Sequence, residues 1–194
     1  MVKKKACIFI SGTGSNLKSI INSSRDPNFP IKINLVLTNN KNAAGINYAK
    51  KYSIPFKIIN DNKKKFERIA FKEIIEKKIK LICLAGFMKI LSPTFIKKWK
   101  ERLINIHPSY LPHFKGLNAQ SKAIEAKASF SGCTVHYVNK KIDSGNIIKQ
   151  KKIKILKKDN TESLTKKILI EEHKLYPKAL NVVVNRLLLN EKIN

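Results

Sequence analysis

"KACIFISGTGSNLKSIINSS", Lys5 to Ser24, decides the fold. Lys5 to Ile10 is an apolar run of strand length, and a helical pattern begins at Leu17. Between them stand two glycines, a serine and an asparagine, so the stretch reads as a buried strand, a tight loop and a helix capped by Ser15 or Asn16.

Working outward, the same rhythm repeats. Lys32 to Thr38 is a second strand, Ala43 to Tyr52 a helix that ends before Pro55, and Phe56 to Ile59 a third strand. Lys63 to Lys78 is amphipathic, with Phe66, Ile69, Ala70, Ile74 and Phe71 as the candidate inner face. Lys80 to Ala85 and Arg102 to Ile106 supply a fourth and a fifth strand. Two β-rich runs follow, Cys133 to Val138 and Ile147 to Ile155, then a long helix from Thr161 to Leu189 with a bend expected near Pro177. The pattern predicts one α/β domain over residues 1–194: a Rossmann-like, mostly parallel twisted sheet flanked by helices, with a β-rich C-terminal part and a long C-terminal helix. Such sheets take ligands outside the carboxyl ends of their strands, which directs attention to residues just after strands.

Composition narrows the classes. The formal charge is +27, yet 36 of the 40 basic residues are lysines scattered over many segments, and the arginines are only Arg25, Arg68, Arg102 and Arg186. Nucleic-acid readers favour arginine on one face or interleaved with stacking aromatics; neither arrangement is present, so no specific nucleic acid is expected. The field still favours the approach of anionic substrates. Cys7, Cys83 and Cys133 lie far apart, two of them in apolar runs, and read as buried free thiols; no metal-ligand spacing occurs, so no metal is expected. No apolar run reaches the roughly 18 residues of a membrane span and the first ten residues are too short and basic for a signal peptide, so the expected location is the cytoplasm.

Three segments carry chemistry. Ser11 to Asn16 lacks the lysine of a triphosphate loop, and Leu17 stands where a dinucleotide loop needs its third glycine. Gly12 and Gly14 leave room for an anion beside the side chains of Ser15 and Asn16 and a helix N-terminus, which suits one phosphate monoester; a plain strand-to-helix turn is the competing reading. In "INIHPSYLP", Ile104 to Pro112, Asn105 and His107 are two apart at a strand end and point the same way. An amide and an imidazole so placed can hold an oxyanion and move a proton, although a lone histidine is more often structural. In "KKIDSGN", Lys140 to Asn146, Asp143 occupies a tight turn; brought near His107, its charge would favour the imidazolium and raise the histidine pKa. His113 and His136 read as structural, and His173 as part of a solvated cluster with Glu171 and Glu172.

SGTGSNL, LAGFMKIL, NIHPSYLP, FKGLNAQ, GCTVHYV, IDSGNIIKQ and EEHKLYP, in this order, resemble the phosphoribosylglycinamide formyltransferases, a folate-dependent formyltransferase family. NIHP with a downstream IDSG marks the wider formyltransferase and hydrolase superfamily, while SGTGSNL and the single-domain length select the glycinamide ribonucleotide branch. The resemblance implies transfer of the formyl group of 10-formyltetrahydrofolate, a cosubstrate, to the amine of N1-(5-phosphoribosyl)glycinamide in purine biosynthesis. By motif position His107 is the general acid, Asn105 a donor to the formyl oxygen and Asp143 the partner of His107. Gly14, Ser15 and Asn16 then take the ribonucleotide phosphate and Glu172 its ribose hydroxyls. Met88, Lys89, Ile90 and Leu91, with Asn105 and with Asn139, Lys140, Lys141, Ile142 and Asp143, line the folate pocket. Two positions depart from the pattern: Glu67 stands in register with a folate-site arginine, next to Arg68, and Asn146 replaces a proline. The partners implied are small molecules, with no membrane, acting on a monomer or homodimer. A related folate enzyme, either a formyltetrahydrofolate hydrolase or a formyltransferase for another amino sugar or nucleotide, is the nearest rival, and a lysine-rich nucleic-acid binder the rival from another class.

Overall fold

The computed structural model describes residues 3–193. Its elements are β1 (Lys4–Ile10), α1 (Ser15–Ser24), β2 (Ile31–Thr38), α2 (Ile46–Lys51), β3 (Phe56–Ile58), α3 (Lys63–Glu76) and β4 (Leu81–Leu84). There follow α4 (Pro93–Lys98), β5 (Leu103–His107), α5 (Ala119–Glu125), β6 (Phe130–Tyr137), β7 (Ile147–Lys154) and α6 (Thr161–Ile193). The seven strands form one sheet in the order β3-β2-β1-β4-β5-β6-β7. The first five are parallel, and β6 and β7 are antiparallel to their neighbours. The strand order reverses between β1 and β4, so the loops leaving their carboxyl ends diverge and open a crevice.

Alternation along β1 builds both cores. Ala6, Ile8 and Ile10 face α1, α2 and α6, where Leu17, Ile20, Ala49, Tyr176 and Val183 cover them. Cys7 and Phe9 face the other way, against Phe66, Ala70 and Ile74 of α3 and against Phe95 and Trp99. The Tyr176 hydroxyl donates to the Leu84 carbonyl over 2.9 Å and ties α6 to β4 beside the crevice. All three cysteines are buried and free. Among the described residues no helix is long and apolar enough to cross a membrane.

The structure departs from the sequence expectations at element ends. α4 and α5 have no counterpart among the predicted elements, although Ser92 and Pro93 are a readable helix start: the Ser92 hydroxyl accepts from Phe95 N over 3.1 Å, and Pro93 opens the helix. α1 is not capped by Ser15 or Asn16. Its cap is Gly14, and those two residues form the first turn. Ile69 and Phe71 are only half-buried, leaving Phe66, Ala70 and Ile74 as the buried face of α3. α6 continues through Pro177 and beyond Leu189.

Candidate active site

Asn105 and His107 alternate along β5 with Ile104 and Ile106, which belong to the α1/α6 core, so the two polar side chains take the opposite face. The antiparallel register sets Asn105 across from His136 and His107 across from Thr134. Asp143 comes from the turn after β6 with a left-handed φ of 46°. Gly145 presses that turn onto the strand: a Cβ there would lie 1.6 Å from the Tyr137 carbonyl oxygen, so only glycine closes it. Asn146, in the departing position, accepts from Tyr137 N through its own carbonyl at 2.9 Å.

The turn carries Asp143 back over the strand ends. Its Oδ2 lies 3.2 Å from His107 Nδ1 and accepts from Gly116 N over 2.9 Å. Its Oδ1 lies 3.5 Å from His136 Nε2. The other nitrogen of His107, Nε2, is 2.9 Å from the Phe114 carbonyl, which can only accept, so this nitrogen carries hydrogen. Both ring nitrogens thus face acceptors. The neutral ring satisfies one of them and the imidazolium satisfies both.

Burial nevertheless dominates the titration. His107 is 5 % exposed, and its desolvation pulls the pKa below the usual histidine range against the opposing pull of the Phe114 carbonyl and the Asp143 carboxylate. The Asp143 carboxylate does pull the His107 pKa upward, as expected, but the loss of water outweighs it and the net shift is downward. For Asp143 burial acts upward, yet the hydrogen bond of His136, the charge of His107 and the Gly116 amide hold the carboxyl below the ordinary aspartate range.

His136, read from sequence as structural, belongs to this cluster. Its Nδ1 lies 2.8 Å from the Tyr137 carbonyl and its Nε2 3.4 Å from Asn105 Nδ2. A signal was present: Thr134 and His136 alternate with Cys133 and Val135, placing polar groups on one face of a buried strand. His113, by contrast, is exposed on the loop after β5.

The loop after β1 is a second constellation. Gly14 has φ 73°, and α1 has no side-chain cap, so the leading amides of the helix lack a side-chain acceptor and suit an anion. Behind the loop stands Gly45, whose amide donates to the Gly12 carbonyl over 3.1 Å. A Cβ on Gly14 would lie 2.4 Å from Gly45 Cα. Gly45 was missed because it falls inside the predicted Ala43–Tyr52 helix; a glycine in a helical pattern was the available sign. Asn16 Nδ2 donates to Glu172 Oε2 over 2.9 Å, while Asn16 Oδ1 is buried without a protein partner. Glu172 is 6 % exposed, and burial pushes its carboxyl up to about 7 against the Asn16 hydrogen bond. Glu171 instead pairs with Lys174 at 2.8 Å.

The two segments assigned to folate differ in character. Met88 and Ile90 are 67 % and 64 % exposed, whereas Leu91 is a core side chain packed with Phe95 and Ile96 and offers the crevice only its backbone. Lys89 Nζ donates to the Asp61 carbonyl over 3.3 Å. Asn139 holds its own turn, accepting from Lys141 N and donating to the Ser144 carbonyl, both at 2.9 Å, and leaves Lys140, Lys141 and Ile142 exposed. Glu67 is occupied elsewhere: its two oxygens accept from Ser92 N and Ser92 Oγ, each at 2.5 Å, while Arg68 is exposed. Among the described residues no group of three or more His, Cys, Asp or Glu is placed to hold a metal ion.

A strand-order reversal is flanked by the Gly14 loop and a buried imidazole–carboxylate–amide cluster on an α/β sheet, and residues 4–180 match the formyl transferase family, to which the chain belongs. Within it the chain falls with the phosphoribosylglycinamide formyltransferases: that of Haemophilus influenzae is 36% identical, the match covering 90% of this chain and 84% of the relative. The solved phosphoribosylglycinamide formyltransferase of Anaplasma phagocytophilum superposes with a TM-score of 0.89 at 38% identity, covering 95% of this chain and 88% of that one. The human trifunctional purine biosynthetic protein adenosine-3 is 41% identical over 94% of this chain, which spans 19% of that protein's length.

Proposed function

We propose that the chain transfers the formyl group of 10-formyltetrahydrofolate to the amine of N1-(5-phosphoribosyl)glycinamide, yielding formylglycinamide ribonucleotide, by direct attack and without a covalent enzyme intermediate. The observation that carries this reading is the His107–Asp143 contact of 3.2 Å, with Asn105 on the same strand face, at the carboxyl edge of the sheet that also bears the Gly14 cradle.

The reaction poses three demands. The amine must lose a proton, the formyl oxygen gathers negative charge as its carbon becomes tetrahedral, and N10 of the folate must gain a proton to leave. Asn105 is the amide donor to that oxygen, and His107, held by Asp143, delivers a proton to N10; the proton that the amine loses restores the imidazolium, so no net proton is consumed. A positioned acid contributes roughly 100 to 10,000-fold and an oxyanion donor about 3 kcal/mol. The two acceptors on His107 favour the protonated ring while its burial favours the neutral one. Burial is the larger of the two, so the imidazolium gives up its proton more readily than that of an exposed histidine.

The ribonucleotide is anchored by the amides at Gly14, Ser15 and Asn16 and by Glu172. The folate lies along Met88–Leu91 and the Asn139–Asp143 turn. On this reading the protein acts in the cytoplasm on two small molecules, as a monomer or homodimer, with the oxyanion met by protein donors and no metal needed. Incubation of the purified chain with 10-formyltetrahydrofolate, with and without the ribonucleotide, tests it: tetrahydrofolate release that depends on the ribonucleotide is expected, and equal release in its absence means hydrolysis instead.

A further inference from the structure

Between β4 and α4 the chain has no regular secondary structure, and no strand or helix ladder fixes residues 88–91. Side chains from outside the segment fix it instead. At its start, Met88 N donates to Ser11 Oγ over 2.8 Å, and that hydroxyl donates in turn to Asn39 Oδ1 at 2.5 Å. Ser11 itself is 8 % exposed and its amide donates to the Gly86 carbonyl over 3.1 Å. At the far end both oxygens of Glu67 grip Ser92, one at its amide and one at its hydroxyl, while the same hydroxyl caps α4 through Phe95 N. Between these anchors Leu91 is sunk in the core. The outcome is a strap pinned at both ends that displays two apolar side chains, Met88 and Ile90, and the backbone groups between them.

We infer that Ser11 and Glu67 are positioning residues for the folate: they hold the 88–91 strap in the shape against which the flat pterin of 10-formyltetrahydrofolate lies. The inference rests on the formyltransferase reading. A strap that must present backbone donors and acceptors to a planar heterocycle has to be held still without spending those groups on a ladder, and side-chain anchors at its ends do this. Ser11 directly precedes the Gly12–Asn16 loop, so it joins the two substrate sites, whereas Glu67 touches the folate side alone. The two residues therefore have different signatures.

Amide exchange across residues 86–92 and steady-state kinetics in the full chain test this. In Glu67→Ala, a change that does not weaken helix α3 by propensity, exchange at 88–91 quickens and KM for 10-formyltetrahydrofolate rises about tenfold, as expected for loss of hydrogen bonds to a charged group. KM for the ribonucleotide stays within about twofold, a margin below one lost hydrogen bond. Glu67→Gln, which keeps an acceptor for Ser92 N, recovers part of the loss, and Ser11→Ala raises both KM values. A merely structural role would lower the melting temperature of Glu67→Ala and leave the ratio of the two KM values unmoved, which overturns the inference, as does unchanged exchange. Wild-type protein that takes up no tetrahydrofolate in calorimetry overturns the formyltransferase reading and the strap's role with it.

Discussion

The side-chain amide of Asn16 donates to the carboxyl of Glu172 over 2.9 Å, with both residues more than nine-tenths buried. The contact joins the first helix to the last and places a titratable group where little water reaches. With its pKa at about 7, Glu172 holds its proton in the folded chain through the range where an exposed glutamate has lost it. The folded state therefore binds more protons than the unfolded one between the ordinary glutamate value and about 7, so this group's contribution to stability falls as pH rises through that window.

Glu172→Gln removes the charge and keeps the shape. Urea unfolding at pH 5.5 and pH 8 should show the variant less sensitive to pH than wild type, and more stable at pH 8 by on the order of 1–3 kcal/mol, because a buried ionised carboxyl no longer forms. Its KM for the ribonucleotide should rise, since an acceptor for the ribose hydroxyls is lost.

His107→Ala and Asp143→Ala should each lower kcat by about 100 to 10,000-fold. Because the two act as one unit, the double variant should be little worse than the more damaged single one. Single-turnover measurements with both substrates saturating report this, and full activity in His107→Ala refutes the assignment.

The pH dependence of kcat/KM should carry the sign of the His107 shift. Burial depresses this pKa, so in the free protein the imidazolium is lost as pH rises through a value below the usual histidine range, and the basic limb of the profile lies there. Asp143→Asn withdraws a charge that pulls the pKa up. In that variant the limb should move to still lower pH.

Gly14→Ala and Gly12→Ala separate strain from exposure. At Gly14 a methyl group meets Gly45 Cα at 2.4 Å on a residue with φ 73°, whereas at Gly12 nothing lies within 4 Å of the added carbon. The first substitution should cost about 1–3 kcal/mol of stability and weaken the ribonucleotide more than the folate; the second should change thermal stability little.

Most of the strand and helix pattern was legible because it rests on local apolar periodicity: Lys5–Ile10 and the inner face Phe66, Ala70 and Ile74 lie where spacing puts them. The pair Asn105 and His107 was legible for the same reason, two residues apart on one strand. What stayed hidden depends on register and on cross-chain approach. His136 reaches the cluster only because β6 runs antiparallel to β5 in one particular alignment, and Gly45 matters only because the loop after β1 crosses it. The direction of the His107 shift escaped for a third reason: a neighbouring charge can be guessed from a motif, but the depth at which the ring is buried is a property of the whole sheet.

The link between α1 and α6 has a consequence for the order in which the protein comes into being. β1, its loop and α1 are made first, yet the carboxyl that meets Asn16 arrives only with the last helix. Until α6 has emerged and docked, Asn16 has no Glu172 carboxyl to donate to, and Ala6, Ile8 and Ile10 lack the cover of Tyr176 and Val183. On the proposed assignment of the Gly14 loop and Glu172 to the ribonucleotide, competence begins with the docking of the last helix.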